Sequence, residues 1–277
     1  MLDTPGKVKV IGRIAGRLES YLSSLSQDNW SRPSRCDLWE VADVVAHLTG
    51  GVERQTQSME RGRLGAAEPP AEFSPPDAVS MSASNAQRDI TLRQRLAGGL
   101  LNAFVENHAR LHQLLTVFGP EDWEIPCWHA RRGPIPARDY VDLRLQELVI
   151  HDWDIRAAID PAAVLDPEGA RALLPVAQTW LAMTFRPGVK LEVPATYRFD
   201  VIGHPLASYD VTADGESFEI KTQGSSPADV TITCDGDSYL LFAYGRLDAS
   251  GKGGSGRLDV QGNAGLLEPF EQWFKGL

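Results

Sequence analysis

The chain has 277 residues, of which 43% are hydrophobic and 23% are charged, so it is long enough for two folded domains. Its formal net charge is -10, and no stretch forms the basic stripe typical of nucleic-acid binding, so we expect no nucleic-acid partner. No apolar run approaches the roughly 20 residues that cross a bilayer, and the N-terminus lacks the apolar core of a signal peptide. These features predict a cytoplasmic protein that has no membrane partner.

The first 160 residues have the apolar spacing of amphipathic helices joined by polar loops. The periodicity predicts four long helices, over residues 10–25, 37–63, about 85–118 and 143–159. Two segments between them, residues 66–84 and 119–140, are rich in proline and are predicted to be irregular. Four long helices in this arrangement predict an antiparallel four-helix bundle.

After residue 160 the sequence alternates apolar and polar residues, as the strands of a half-buried sheet do. The alternation covers VKLEVPATYRFDV, SFEIKT, DVTITC and GRLDVQG. Helical patterns cover residues 166–185, 236–247 and 265–277. We therefore predict two domains, a helical bundle over residues 1–160 and a small α+β domain over residues 161–277.

Two polar residues stand on the fourth predicted helix, which otherwise carries apolar residues on several sides. Glu147 and His151 are four residues apart, so their side chains leave one helix face about 5–6 Å from each other. They fit two ligands of one metal ion, and an exposed ion pair is the alternative that their spacing leaves open. His47 lies among apolar residues of the second predicted helix, where an isolated histidine is usually a hydrogen-bonded core residue.

Ligands in helical bundles commonly come from facing helices, so His47, Glu147 and His151 would together form a set of two histidines and one glutamate. Three protein ligands leave one position open for water or substrate, which is typical of catalytic zinc. His108 and His112 form a competing pair that we interpret as structural. The three cysteines are predicted to be small buried apolar residues: Cys36, Cys127 and Cys234.

Two blocks of the sequence, DNWSRPSRCDLWEVADVVAHLTGG and WEIPCWHARRGPIPARDYVDLRLQELVIHDWDI, resemble the N-terminal domain of the mycothiol-dependent maleylpyruvate isomerase family. That family belongs to the DinB-like superfamily of zinc-dependent thiol transferases. The C-terminal half, including ADVTITCDGDSYLLFAYGRLD, is similar to sterol carrier protein 2. The resemblance implies a DinB-like four-helix bundle followed by a small α+β domain similar to sterol carrier protein 2.

The resemblance also implies roles for five residues. Zinc in the family is held by the histidine of an AHL helix and by an E-x-x-x-H pair, which correspond here to His47, Glu147 and His151. The aspartate of the following WD corresponds to Asp154, and the arginine of a C-terminal GR corresponds to Arg246. In the family these two connect the domains at the active site, so Arg246 is expected to reach Asp154 or the bound thiol. An ordinary interdomain salt bridge is the alternative for both residues.

The implied activity is that of an enzyme that binds zinc, or another divalent metal, and activates mycothiol as a thiolate for attack on a small electrophile. Addition to a conjugated double bond, rotation and loss of the thiol would give cis-trans isomerisation of the maleylpyruvate type. Retention of the sulfur would give S-transfer, as in detoxification or natural-product biosynthesis. The alternative from another functional class is a non-catalytic, metal-stabilised module that binds a small apolar ligand.

Overall fold

The computed structural model of the protein describes residues 2–36, 39–70, 81–204, 207–224, 226–249 and 256–275. The chain forms two compact units, Leu2–Gly169 and Ala170–Leu277. The sequence predicts a domain boundary near residue 160, whereas the two units divide between Gly169 and Ala170. Residues 71–80 of the segment predicted to be irregular lie outside the described residues.

Four long helices of the first unit pack against one another and form its core. Each buries an apolar stripe because its hydrophobic residues recur at helical spacing, as Ile14, Leu18 and Leu22 do in the first helix. The prediction of a helical bundle followed by a small sheet domain is confirmed. The four long helices are α1 (Thr4–Ser23), α3 (Val41–Arg63), α5 (Leu100–Thr116) and α6 (Ala137–Ala157), and the short α2 (Gln27–Trp30) follows α1.

The helix predicted over about residues 85–118 is two helices rather than one. Helix α4 (Met81–Leu96) is followed by a 3₁₀ turn (Ala97–Gly99), after which α5 begins. Ala97 has a φ of 44°, a left-handed conformation that interrupts the helix, and two glycines with weak helix propensity follow it. The interruption allows α4 to pack on α3 while α5 joins the bundle.

A β-hairpin lies in residues 119–140, where the sequence predicts an irregular loop. Its strands β1 (Pro126–His129) and β2 (Gly133–Pro136) pair antiparallel. Gly133 has a φ of 68° at the turn, a conformation that a side chain would strain. The hydroxyl groups of Tyr140 and Ser58 both donate to the carbonyl of Trp128, so the hairpin is attached to α6 and α3.

An ion-pair network, in which half-exposed arginines meet buried carboxylates, connects α1 to α6 and to the segment that leads into α7 (Pro167–Leu173). Arg17 donates to Asp152 and to Asp166, each at 2.6 Å, and both carboxylates are almost fully buried. Arg13 forms a bidentate pair with Asp166 at 2.6 and 2.7 Å. Burial works against ionisation of Asp166, but the hydrogen bonds from Arg13 and from the Gly169 N–H, together with the charges of Arg13 and Arg17, outweigh it and lower its pKa to about 2.

The helices of the second unit are shorter than the sequence predicts. The helix expected over residues 166–185 is interrupted by a 3₁₀ turn (Leu174–Val176), after which α8 (Ala177–Thr184) begins. Pro175 lies in this turn, and proline lacks the N–H group that a continuous helix requires. Two further helices, α9 (Gly236–Ala243) and α10 (Leu267–Trp273), lie in the other stretches predicted to be helical. None of the helices in the described ranges has both the length and the apolar character needed to cross a membrane.

A five-stranded sheet completes the second unit. Its strands are β3 (Ala195–Val201), β4 (Tyr209–Ala213), β5 (Phe218–Thr222), β6 (Val230–Cys234) and β7 (Asp259–Gly262). They lie in the order β5–β4–β3–β6–β7. Strands β3 and β6 pair parallel, whereas the other neighbours pair antiparallel. Four strands lie in segments that alternate in the sequence, and β4 is the strand that the sequence analysis misses.

Aromatic side chains fill the core of the second unit. The ring of Phe199 packs with those of Tyr209, Tyr239 and Phe270 at centroid distances of 5.2, 5.8 and 5.7 Å. The hydroxyl groups of Tyr209 and Tyr239 form a buried hydrogen bond of 2.5 Å. All four residues are at most 1% exposed, so rings from the sheet and from both flanking helices occupy this interior.

Candidate metal centre

The three predicted metal ligands come together within the first unit. His47 lies on α3, whereas Glu147 and His151 lie four residues apart on α6. Glu147 Oε2 is 2.8 Å from His47 Nε2 and 3.5 Å from His151 Nε2. One ligand atom of each residue lies within 4.8 Å of the other two. The spacing on α6 and the facing position of α3 account for this convergence.

Each histidine ring is oriented by a buried carboxylate on its other side. Asp89 Oδ2 lies 2.8 Å from Nδ1 of His47, and Asp154 Oδ2 lies 2.8 Å from Nδ1 of His151. Both carboxylates are completely buried. A carboxylate accepts the hydrogen of Nδ1, which in a neutral ring leaves a lone pair on Nε2, the atom that faces Glu147 and could bind a metal ion. Carboxylates commonly stand in this position behind metal-binding histidines.

The three converging side chains lie below the surface but remain accessible to solvent. Their exposed fractions are 20% for His47, 31% for Glu147 and 11% for His151. The ring of Trp39 lies beside both imidazoles, with its centroid 5.1 Å from that of His47 and 6.5 Å from that of His151. Trp39 therefore adds an apolar wall next to the accessible Glu147 carboxylate.

The electrostatic environment favours a positive charge at this centre. Burial opposes protonation of His47, but the charge of Glu147 and the hydrogen bond to Asp89 outweigh it and raise its pKa to about 9. Burial also opposes ionisation of Glu147 and Asp89. The charge and hydrogen bonds of His47 nevertheless hold the pKa of both carboxyl groups below its ordinary value. The carboxylates thus stabilise a cation among them, either a proton or a metal ion.

A buried arginine lies one helical turn before Glu147 on α6. Arg144 is only 4% exposed, and its Nε donates to Gln55 Oε1 at 2.9 Å. Burial lowers the pKa of Arg144 to about 10, while the charge of Glu147 acts in the opposite direction. Gly51 leaves room for the guanidinium, because a Cβ at that position would lie 3.1 Å from Arg144 Nη2. Arg144 is therefore a fixed positive charge that favours the ionised form of Glu147.

The residues present fit a divalent metal ion. Two imidazole nitrogens and one carboxylate oxygen are the donor set of open zinc sites, in which each donor lies about 2.0–2.1 Å from the ion. Donors in a tetrahedron of that size are about 3.3 Å apart, close to the 3.5 Å between His151 Nε2 and Glu147 Oε2. The shorter contact between His47 and Glu147 is a hydrogen bond that an ion would replace. The same donors also suit other divalent transition metals.

Cys36 is a further neighbour of His151. Its sulfur, a ring nitrogen of His151 and a carboxylate oxygen of Asp154 all lie within 4.8 Å of one another. The prediction of a small buried apolar residue agrees with Cys127 and Cys234, which are buried, whereas Cys36 is half-buried beside polar groups. The sequence does not reveal the contact between Cys36 and His151, because more than 100 residues separate them and no local pattern connects them.

The competing histidine pair on α5 has the surroundings of structural residues. His108 is buried against the ring of Phe104, and its Nδ1 donates to the Phe104 carbonyl at 2.8 Å. Burial, followed by the charge of Arg144, lowers the pKa of His108 to about 3, so its ring is neutral. His112 is exposed. These surroundings agree with the structural interpretation of the pair.

Asp154 and Arg246, which the resemblance places between the domains, lie in different units. Asp154 supports His151 in the first unit, a contact that gives it a role independent of the second unit. Arg246 follows α9 in the second unit, where its Nη1 donates to the carbonyl of Tyr244 at 2.8 Å. A contact of Arg246 with Asp154 or with a bound thiol stays a prediction, as does the alternative salt bridge.

Asp89 is a residue of this centre that the sequence analysis does not identify. It lies on α4, 42 residues after His47, in the polar stretch RDITLRQRL. A single acid among arginines has no metal-site pattern. The available signal is its position three residues before the buried Leu92, which puts an acid on the apolar face of a helix. An acid in that position needs a buried partner.

Both parts of the chain are similar to known protein families. A family model described as Mycothiol maleylpyruvate isomerase N-terminal domain matches residues 11–156, and one described as SCP-2 sterol transfer family matches residues 191–275. Two proteins of Mycobacterium tuberculosis, Uncharacterized protein MT0763 and Uncharacterized protein Rv0738, are each 26% identical over 171 residues. The matched part is 60% of this chain and 75% of each relative.

A crystal structure of the mycothiol-dependent maleylpyruvate isomerase is similar in fold, with a TM-score of 0.64 and 16% sequence identity. The match covers 94% of this chain and 93% of that chain. The first family model spans more than half of the chain and includes His47, Glu147 and His151. The chain therefore belongs to the mycothiol maleylpyruvate isomerase N-terminal domain family, joined here to a domain of the SCP-2 sterol transfer family.

Proposed function

We propose that this protein is a metal-dependent enzyme that uses mycothiol to attack a small electrophile. In this proposal His47, Glu147 and His151 hold zinc or another divalent ion. The observation that carries it is the convergence of two imidazole Nε2 atoms on one glutamate, with a buried carboxylate behind each ring. Membership in the mycothiol maleylpyruvate isomerase N-terminal domain family supports an enzyme with mycothiol as its thiol partner.

The side chains around the centre have separate tasks in this mechanism. When bound, the metal ion acts as a Lewis acid that lowers the pKa of a coordinated thiol. Asp89 and Asp154 keep hydrogen on Nδ1 of their imidazoles, so that both Nε2 atoms keep a lone pair with which to bind the ion. Arg144 favours the ionised form of Glu147. Trp39 limits access of water to the imidazoles from one side. Arg246 is proposed to contact the thiol or Asp154.

The electrophile determines which reaction the thiol performs. If the sulfur adds to a conjugated double bond, rotation about the resulting single bond and loss of the same thiol give a cis-trans isomer. The thiol is then released unchanged. If the product keeps the sulfur, the reaction is S-transfer, as in detoxification or natural-product biosynthesis. Both reactions begin with the same attack, so the products distinguish them.

The proposal predicts that His47→Ala removes the metal and the activity together. The wild-type protein should contain about one divalent ion per chain by elemental mass spectrometry. Removing one of three ligands should lower metal affinity by more than the roughly 10–100-fold loss caused by changing an outer carboxylate. Activity is measured by incubation with mycothiol and a panel of electrophiles. Mass spectrometry then separates thiol adducts from isomerised products that carry no thiol.

His112→Ala is the matched control, because His112 is an exposed histidine on another helix of the same bundle. This variant should keep both the metal and the activity. Circular dichroism of both variants establishes that the bundle remains folded. A His47→Ala protein that contains a full equivalent of metal and reacts at the wild-type rate would refute the ligand assignment.

A further inference from the structure

His129 lies at the end of β1, on the hairpin that is attached to both helices of the candidate metal centre. The carbonyl of the preceding residue, Trp128, accepts hydrogen bonds from Ser58 of α3 and from Tyr140 of α6. The ring of His129 packs beside that of Tyr140, with 5.6 Å between their centroids. The hairpin therefore holds this imidazole in a fixed place against α6.

Two backbone groups determine the tautomer of His129. The N–H groups of Arg131 and Arg132 both donate to Nδ1 of the ring, each at 3.2 Å. A ring nitrogen that accepts hydrogen bonds carries no hydrogen, so the hydrogen of the neutral ring is on Nε2. Within the described ranges of the chain, no residue forms a hydrogen bond with this Nε2, and the side chain is half-buried. Its N–H can therefore be donated to a bound molecule.

The surroundings of His129 keep its ring neutral. Burial, followed by the charges of Arg132 and Arg131, lowers the pKa of His129 to about 4, while the charge of Glu147 acts in the opposite direction. A neutral imidazole donates a hydrogen bond without releasing its proton. Such a donor suits an atom that gains negative charge during a reaction and then loses it again.

The position of Tyr140 relates His129 to the metal centre. Tyr140 and Glu147 are seven residues apart on α6, which is about two helical turns and about 10 Å along the axis, so both face the same side. His129 packs on Tyr140, and the charge of Glu147 reaches it. Glu147 is 31% exposed, so a small molecule can approach it from solvent. A molecule that reacts at the metal centre can therefore extend along α6 to His129.

We propose that His129 is a catalytic residue, and that its Nε2–H donates a hydrogen bond to the oxygen of the electrophile on which negative charge develops. This inference rests on the proposed function and adds a residue to the same site. Removal of one donor of this kind typically lowers kcat by about 100–1,000-fold.

The movement of electrons explains why a neutral donor is sufficient. When the thiolate sulfur bonds to a carbon conjugated with a carbonyl group, the electron pair of the double bond moves toward the carbonyl oxygen and gives an enolate. In isomerisation the pair returns and the new carbon–sulfur bond breaks. In S-transfer the enolate carbon takes a proton from water. His129 keeps its own proton in both reactions and stabilises the enolate oxygen.

Two substitutions separate this role from a structural one. Asparagine can place its carbonyl oxygen where Nδ1 of the imidazole lies, so His129→Asn keeps an acceptor for the backbone N–H groups but loses the donor at Nε2. Glutamine is longer, and His129→Gln places an amide N–H near the position of Nε2. With mycothiol and methyl vinyl ketone, a conjugated ketone, kcat should fall about 100-fold in His129→Asn and less than about tenfold in His129→Gln.

Three controls accompany these kinetics. Both variants should bind metal as tightly as the wild type, because His129 is not a ligand. Benzyl chloride is the control electrophile, since negative charge develops on its chloride and not on an oxygen, and its rate should be the same in all three proteins. His112→Gln changes an exposed histidine on another helix of the bundle, and it should leave kcat unchanged.

A His129→Asn protein with the kcat of the wild type would overturn the inference, because it would show that only the acceptor for the hairpin is needed. A kcat in His129→Gln no higher than in His129→Asn would also overturn it, as would an equal loss of rate with benzyl chloride. Failure of the proposed function has a different readout. The wild-type protein itself would then lack metal or thiol chemistry.

Discussion

Asp89 and Asp154 are single buried acids that orient the two histidines of the candidate metal centre. Each is completely buried and each contacts Nδ1 of one imidazole at 2.8 Å. Burying a carboxylate is unfavourable unless hydrogen bonds and opposite charge offset the loss of water. The two acids are therefore stable only with their histidines in place, and they restrict both rings to one orientation.

Asp89→Asn is predicted to lower metal affinity about 10–100-fold while the protein remains folded. The amide keeps the size of the carboxylate but loses its charge. It can also turn its NH₂ group toward Nδ1, which favours the tautomer with hydrogen on Nε2, where the metal donor should be. Competition with a chromophoric chelator measures the affinity.

Asp28→Asn changes an exposed acid on α2 and is the control for the loss of one negative charge. Its metal affinity should equal that of the wild type. If Asp89→Asn also bound metal as tightly as the wild type, the hydrogen bond to His47 would not position the ligand.

At the scale of elements, the junction of α4 and α5 determines where Asp89 lies. Helix α4 packs on α3 and carries Asp89 toward His47, whereas α5 packs in the bundle beyond the turn at Ala97–Gly99. One straight helix over this region would keep both parts on a common axis. The left-handed conformation of Ala97 separates the two directions, at a cost in backbone strain.

Ala97→Gly is predicted to stabilise the protein by about 0.5–1 kcal/mol. Glycine removes the roughly 1–2 kcal/mol of strain that a Cβ causes in the left-handed region, and its greater freedom in the unfolded chain cancels part of the gain. Urea denaturation followed by circular dichroism measures the free energy of unfolding. Destabilisation by the roughly 0.5–1 kcal/mol that glycine costs inside an ordinary helix would contradict the strained junction.

Gly98→Ala is the matched change at the next position. Gly98 does not have a positive φ, and a Cβ there would meet no atom within 4 Å. Alanine should therefore be neutral or stabilising by up to about 1 kcal/mol, because it restricts the unfolded chain. Glycine should therefore raise the free energy of unfolding at position 97, and alanine should leave it unchanged or raise it at position 98.

Periodicity predicted the elements that bury a continuous apolar stripe, and it failed where a break depends on a few residues. The bundle helices and four of the five strands of the second sheet follow from apolar spacing. The break at Ala97 depends on one backbone conformation, and the interruption at Pro175 on one missing N–H group. The hairpin β1–β2 has strands of four residues, too short for alternation to be distinct from a proline-rich loop.

The residues of the candidate site also fall into those that local spacing predicts and those that it does not. Glu147 and His151 are recognisable because both lie on one helix at a spacing that brings side chains together. His47 is predicted as a ligand because facing helices in a bundle commonly share a metal ion, and the family resemblance supports the same assignment. Asp89 and Cys36 reach the centre only through tertiary packing of distant segments. Local sequence patterns do not contain that information.

At the scale of the whole molecule, the candidate metal centre belongs to the first unit. Aromatic rings pack against one another in the interior of the second unit. The alternative function is a non-catalytic module that binds a small apolar ligand. A fully protein-coordinated metal ion without exchangeable water would instead favour that non-catalytic alternative.

A fragment of residues 1–173, which ends with α7, is predicted to bind metal with the stoichiometry and affinity of the full chain. It contains the three converging ligands and both supporting aspartates. Elemental analysis and chelator competition test this, with the same fragment carrying His47→Ala as the control. A folded fragment that binds no metal would show that the centre depends on the second unit.

The separation of His47 and Glu147 along the chain has a consequence for folding. The two positions are 100 residues apart in the sequence, yet His47 Nε2 lies 2.8 Å from Glu147 Oε2 in the folded protein. An ion held by both acts as a removable cross-link that closes a long loop, so it disfavours the unfolded chain much as a disulfide does. Above the dissociation constant, each tenfold rise in free ion adds about 1.4 kcal/mol to the free energy of unfolding. The resistance of the protein to heat and proteolysis should then follow the supply of metal.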